Sequence, residues 1–140
     1  MIEVFLVNIL IIALAVLIHY ECLYRMSIFL PRLKIKHRFL IVLAVFGALV
    51  AHIIEIWFFA IAYYLLPRFK HWGELTGNFD GSFMDCVYFS YTTYTTLGFG
   101  DIEPYGHIRH LVGFESLTGL VLITWTASFI YYEMHRYWGR

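Results

Sequence analysis

Charge is scarce in this chain. Only 14% of its 140 residues are Asp, Glu, Lys or Arg, against about a quarter in ordinary soluble domains. A domain this small has a large surface to cover, and it lacks the charged residues to cover it. That excludes an ordinary water-soluble class and a disordered one. Lys plus Arg and Asp plus Glu are 10 each, so no basic surplus points to nucleic acid. Cysteines number two, Cys22 and Cys86. They are expected on opposite sides of a membrane, where no disulfide joins them. Prolines number three, and there is no flexible linker, low-complexity tract or internal repeat. What the chain has in abundance is apolar surface, with 61% hydrophobic and 20% aromatic residues.

The apolar residues fall in three runs. The first is Met1 to Ile18, extendable through Tyr20 to Leu23 and broken only by Glu3 and Asn8 before His19. It has no basic start and no small-x-small cleavage site, so it does not read as a signal peptide. The second is Phe39 to Leu66, and the third Ile108 to Tyr132. A bilayer core of about 30 Å needs roughly 20 helical residues, so each is a candidate span. Arg25, Arg32, Lys34, Lys36 and Arg38 lie between spans one and two, and Arg136 and Arg140 lie in the tail. Arg68, Lys70 and Arg109 lie between spans two and three or at the start of span three. Basic residues favour the cytoplasmic side, which predicts the N-terminus outside and the C-terminus inside. Glu74, Asp80, Asp85, Asp101 and Glu103 then gather outside, where they attract cations. Trp57, Tyr63, Tyr64 and Trp72 suit the outer interface, and Tyr131, Tyr132, Tyr137 and Trp138 the inner one. The stretch Ser27 to Lys36 reads as an elbow on the inner surface.

The segment between spans two and three enters and leaves on the same side. Ser82 with Asp85 reads as a helix cap. The apolar, hydroxyl-rich run Cys86 to Thr95 follows, then Thr96-Leu97-Gly98-Phe99-Gly100-Asp101 and Pro104. As a helix, Phe83 to Thr95 descends about 20 Å. An extended Thr96 to Gly100 climbs back about 15 Å. Non-helical backbone at membrane depth survives only inside protein or lining water. Consecutive carbonyls can be aimed at one axis only where residues leave the ordinary β region, and glycine does so without a Cβ penalty. Gly98 and Gly100, with the Thr96 hydroxyl, can therefore stack rings of oxygen around an axis shared by several chains. Such rings replace the water around a cation, and pore-helix C-termini add partial negative charge. A dinucleotide loop is excluded because the third glycine is missing.

The run Thr95 to Asp101 resembles the potassium-channel signature, usually Thr-Val-Gly-Tyr-Gly-Asp, and Tyr88-Phe89-Ser90, the doubled threonine and Pro104 match its context. The chain resembles the pore module of the two-helix potassium-channel family, and most of all small bacterial members with one extra N-terminal span. The resemblance implies an all-α membrane protein with three transmembrane helices, a re-entrant pore helix and a selectivity-filter loop, assembled as a homotetramer in a bacterial inner membrane. Residues 1–38 would be the added span and basic elbow, and 39–140 the pore module. Within the module, 39–66 would be the outer helix, 82–95 the pore helix, 96–101 the filter and 108–133 the inner helix. Thr96, Leu97, Gly98 and Phe99 would bind K+, with Gly100 completing the filter. Asp101, Tyr88 and Thr95 would support it, Tyr88 being the first candidate partner of Asp101. Leu97 stands where the signature has Val, and Phe99 where it has Tyr. Phe99 therefore has no hydroxyl with which to tether the filter. The implied activity is passive potassium permeation, not an enzymatic reaction. No cofactor is expected beyond the permeating ion. The implied partners are lipid and three further copies, with an unidentified regulatory partner left open and no nucleic acid.

Other residues carry weaker expectations. His52 and Glu55 share a helix face, and Glu115 lies within about 5 Å of the same depth. Buried ionisable groups usually pair, so an inter-helix hydrogen-bond network is expected, with pH sensing or a metal site as sharper readings. Gly119 suits either a bend in the inner helix or close packing, and Gly113 suits packing. Thr118, Leu122 and Trp125 are candidates to line the inner pore. No Arg-repeat helix is present to act as a voltage sensor. Two alternatives stay open within channels, a poorly selective cation channel and a regulatory subunit. A third, from another class, is a membrane haem protein using His19, His52 and His135, although His19 and His135 more simply read as polar anchors at the inner interface.

Overall fold

The computed structural model describes residues 1–138, so Arg140, counted above among the inner basic residues, lies outside the described residues. Three long helices dominate: α1, Ile2–Phe29; α2, His37–Leu65; and α4, Ile108–Trp138. All three are long and apolar enough to cross a membrane, and the chain is an integral membrane protein. At 1.5 Å per residue α4 is roughly 46 Å long, well beyond the hydrocarbon core. The first helix runs further than its apolar stretch, because Glu21, Arg25 and Ser27 continue the helical ladder; Arg25 bonds Glu21 one turn back at 3.3 Å.

Both α1 and α2 stop at the same tripeptide. Leu30-Pro31-Arg32 and Leu66-Pro67-Arg68 each form a 3-10 turn, and the chain leaves it extended at Leu33 and Phe69. Proline lacks the N–H that a continuing helix needs. The expected elbow is therefore a single tight turn, with Leu30 buried against Leu40, Ala44 and Tyr137 and with Arg32, Lys34 and Lys36 exposed.

The helices bury narrow stripes. In α1 the buried residues are Val4, Asn8, Ile11, Ala15, His19 and Leu23, three or four apart, which is one helix face. In α2 the small residues Ala44, Ala48, Ala51 and Ala60 are buried. Small side chains let helix backbones approach where lipid removes the ordinary hydrophobic drive for association. The rest of each surface is apolar and exposed, as a lipid-facing helix requires.

Between α2 and α4 lie a short strand β1, Glu74–Gly77, a helix α3, Phe83–Tyr94, and a strand β2, Ile102–Tyr105. The strands pair antiparallel, Glu74 opposite Tyr105 and Gly77 opposite Ile102. This two-stranded ladder is the one addition to the all-α expectation. It closes tightly: a Cβ on Gly73 would sit 2.0 Å from the Tyr105 carbonyl oxygen. It ties the residues before α3 to those after the loop 95–101. The main core packs α1, α2, α3 and the start of α4 around Phe59, Tyr63, Phe89, Tyr94 and Leu111.

Two expected interface aromatics are buried within the chain instead. Tyr63 is fully buried and Trp72 nearly so. The Tyr63 hydroxyl is drawn inward by a carboxylate, and the Trp72 carbonyl accepts the Ile108 N–H at 2.8 Å to start α4. His19, read as a polar anchor, is also fully buried inside the bundle.

Candidate functional site

The loop after α3 is built from its helix. Ser82 is the N-cap, its Oγ accepting the Asp85 N–H at 3.1 Å. The Asp85 carboxylate does not return to the cap residue. It accepts the Asp80 N–H at 2.9 Å, while Asp80 accepts the Ser82 N–H at 2.7 Å. Hydrogen bonding from Ser82, through its side chain first and its amide second, holds the Asp80 carboxyl below its ordinary value. At the other end Thr95 Oγ1 donates to the Tyr91 carbonyl at 2.7 Å. The chain then doubles back: the Thr96 N–H donates to Thr93 O at 3.0 Å and the Gly98 N–H to Thr92 O at 2.9 Å. Helix-terminal carbonyls, which lack partners in their own helix, thus hold the loop.

Within the loop every second residue is left-handed. Thr96 has φ 60°, Gly98 54° and Gly100 78°, and Thr96 is the one non-glycine residue with positive φ among the described residues. A Cβ on Gly98 or Gly100 would meet nothing within 4 Å. Backbone conformation and not space is what glycine supplies here. Threonine in the same region is strained, and it is held there by the bond to Thr93. Past the loop, Tyr88 donates to Asp101 Oδ2 at 2.9 Å, the pairing expected from the sequence. The Asp101 carbonyl accepts the Asn78 N–H at 2.8 Å. Both ends of the loop are therefore fastened, one to α3 and one to the sheet.

The side chains between the fastenings are bare. Leu97 is 59% and Phe99 64% exposed, and 95–100 are exposed throughout. Behind the loop is a recess of 250 Å³ reached by Phe89, Thr92, Thr96, Gly98, Val112 and Ser116.

Two buried carboxylates brace α3 from behind, and they are separate, not one network. Glu115 of α4 accepts the Tyr63 hydroxyl at 2.5 Å and has Ser90 Oγ at 2.5 Å; that same hydroxyl lies 2.8 Å from the Ile56 carbonyl. Glu55 of α2 meets His19 Nδ1 at 2.8 Å and His52 Nδ1 at 3.2 Å, and it accepts the Tyr94 hydroxyl in a short bond. Thr126 of α4 completes this second cluster, its Oγ1 lying 2.9 Å from His52 Nε2 and 3.4 Å from His19 Nε2. His19 and Thr126 were not singled out with Glu55 by sequence. His19 is 36 positions away, and no local spacing marks such a partner.

Other candidates are placed differently from expectation. Thr118 and Leu122 are buried within the chain, because α4 turns that face to its own bundle, so they do not line a central space. Trp125 packs on His19 and Tyr20. Gly119 is a close-approach position: a Cβ there would lie 2.2 Å from the Tyr94 carbonyl oxygen. Gly113, read as packing, has nothing within 4 Å of such a Cβ in the chain. The His19 and His52 rings lie 5.3 Å apart and tilted by 33°, but His135 is exposed beside Tyr131 near the far end of α4. The three histidines of the haem reading do not converge.

A family model described as an ion channel matches residues 39–134, from the start of α2 almost to the end of α4, and leaves α1 outside. Neither the search of curated proteins nor that of solved structures returned a match.

Proposed function

The chain belongs to that ion-channel family, and on this premise we propose that it is a potassium-selective channel. Four copies surround one pore, and Thr96 to Asp101 from each line its narrowest part. The observation that carries the reading is the alternation of left-handed residues at 96, 98 and 100. Alternating hand along an extended segment turns successive carbonyl oxygens to the same side, where an ordinary strand turns them to opposite sides. Rings of such oxygens take the place of an ion's hydration shell.

The exposed Leu97 and Phe99 side chains support a multi-chain pore. Apolar groups flanking a polar backbone need cover, and further copies around a shared axis supply it, since closed rotational symmetry is the usual form of homo-oligomers. The bundle also supports the orientation. Arg25, Arg32, Lys34, Lys36, Arg38 and Arg136 gather at the end holding the α1–α2 turn. Glu74, Asp80, Asp85, Asp101 and Glu103 gather at the end holding the loop. The first end then faces the cytoplasm, and the acidic end concentrates cations at the pore mouth.

Purified protein in liposomes, under opposed K+ and Na+ gradients, tests the proposal through its reversal potential. A value near the K+ equilibrium potential is expected. A value near zero favours the poorly selective reading, for which the departures at Leu97 and Phe99 speak. Gly98→Ala has room for its methyl group but forces a Cβ into left-handed backbone, at about 1–2 kcal/mol per residue. It is expected to assemble and to lose K+ flux. Unchanged flux in that variant would remove this loop from the permeation path.

A further inference from the structure

We propose that His19, His52 and Glu55 form a binding site for a divalent transition metal ion, zinc in the first instance. With one donor atom from each, the three lie within 4.8 Å of one another, and they are buried or nearly so. Two imidazoles and a carboxylate are a common zinc donor set. Zinc holds such donors at about 2.0–2.1 Å, which puts neighbouring donors roughly 3.3 Å apart in a tetrahedron. The His19 Nδ1 to Glu55 Oε1 and His52 Nδ1 to Glu55 Oε2 separations, 2.8 and 3.2 Å, are within about half an ångström of that. Tyr94 Oη lies 2.9 Å from His52 Nδ1, but its hydroxyl donates to Glu55 in a short bond, closer than two donors of one tetrahedral ion sit, so Tyr94 orients the carboxylate and the fourth position falls to water.

Thr126 is the independent observation. Metal-bound imidazoles usually donate their other ring N–H to an oriented acceptor. Thr126 Oγ1 lies within reach of both Nε2 atoms, 2.9 Å from His52 and 3.4 Å from His19, and a hydroxyl oxygen has two lone pairs to accept with. When both Nε2 atoms carry hydrogen, both Nδ1 lone pairs are left turned to the carboxylate, and a cation between them completes every contact. With both rings neutral and no cation, Nδ1–H groups that donate to the carboxylate leave two Nε2 lone pairs competing for the single Thr126 hydrogen, so a metal ion or an added proton is what completes the contacts.

The site borders a lateral, apolar cavity of 460 Å³ lined by Leu49, Ile53, Ile123 and Ile130, which touches His52, Tyr94 and Thr126. Occupied, the site would fasten α1, which lies outside the family-matched segment, to α2 and to the last residue of α3, two positions before Thr96. That gives the added span a structural task beside the pore.

The test uses the full chain in detergent, stripped with chelator and titrated with Zn2+ alone. One Zn2+ per chain is expected. His19→Ala and His52→Ala should each weaken binding at least about 100-fold, and Thr126→Val about tenfold, within the range for residues that orient a ligand. Co2+ in place of Zn2+ should give the intense visible bands of a four-coordinate centre, lost in His52→Ala. His107→Ala with His110→Ala, which removes a stacked histidine pair elsewhere on the chain, should change nothing. Helicity by circular dichroism controls for folding, and Thr126→Val with the wild-type Co2+ spectrum decides the matter where a histidine variant fails to fold. No saturable binding by folded wild-type protein overturns the site and leaves the cluster to protons alone. Binding that survives both histidine variants, or follows His107 and His110, overturns it equally.

Discussion

Glu55 and Glu115 are both fully buried in the same bundle, and both bond α3, yet they are held in different ways. Glu115 meets only hydroxyls, Tyr63 from α2 and Ser90 from the middle of α3. Glu55 meets two imidazoles and the hydroxyl of Tyr94, the last residue of α3. Hydroxyls have one proton each and hold it at ordinary pH, so the Glu115 cluster can only choose whether the Ser90 proton serves Glu115 or the Ile56 carbonyl, and it acts as a clamp. Imidazoles can exchange a proton for a metal ion and can swap which nitrogen carries hydrogen, so the Glu55 cluster has more arrangements. The clamp sits inside closed packing, while the versatile cluster borders a cavity and the loop. A helix that must hold a loop in strained backbone needs the first.

Removing Glu115 should break the contrast most severely. Glu115→Ala strands the Tyr63 hydroxyl and leaves a void. Ser90 keeps the Ile56 carbonyl as a partner. An orphaned buried hydroxyl costs about 1–3 kcal/mol and the void adds to it, so a loss of about 3 kcal/mol in unfolding stability is expected in detergent. Glu115→Gln keeps an acceptor oxygen and should cost under about 1 kcal/mol, near the usual worth of a hydrogen bond between membrane helices. Equal losses in the two variants would show that shape and not hydrogen bonding makes the clamp.

A matched pair of tyrosines sharpens the contrast at smaller scale. Tyr63→Phe leaves Glu115 with Ser90 alone, while Tyr94→Phe leaves Glu55 with two histidines. With chelator present, the first should cost about 1–2 kcal/mol and the second less than about 1 kcal/mol. The reverse order would mean that Glu55 is the clamp.

Much of the loop was legible in the sequence because its determinants are local. Ser82 and Asp85 are three apart, Gly98 and Gly100 flank one residue, and Tyr88 lies on the helix face that returns toward Asp101. The clusters were less legible. His52 and Glu55 announce themselves by helical spacing, but His19 and Thr126 are joined to them only by the way α1 and α4 pack, which periodicity leaves free when a helix is apolar all round. For the same reason Thr118 and Leu122 could be placed on one face of α4 but not turned inward or outward. The strands Glu74–Gly77 and Ile102–Tyr105 are four residues each, too short for alternation to show, and they are fixed by each other across 24 residues of intervening chain.

The smallest expected effect lies at the other end of α3, outside the buried clusters. Asp80 is exposed, and hydrogen bonding from Ser82 lowers its carboxyl below the ordinary value. The folded chain therefore favours the ionised form. The contribution is complete above the ordinary carboxylate range and is lost as pH falls through the lowered folded value. Acid should thus loosen the α3 cap. Hydrogen exchange at the Ser82 and Asp85 amides should quicken as pH drops below the Asp range, beyond the intrinsic pH dependence of exchange. Asp80→Asn should remove that step and leave exchange at Thr95 and Gly98, at the far end of the helix, unchanged. A step that persists in Asp80→Asn would show that the Asp80 carboxylate is not what fastens the cap.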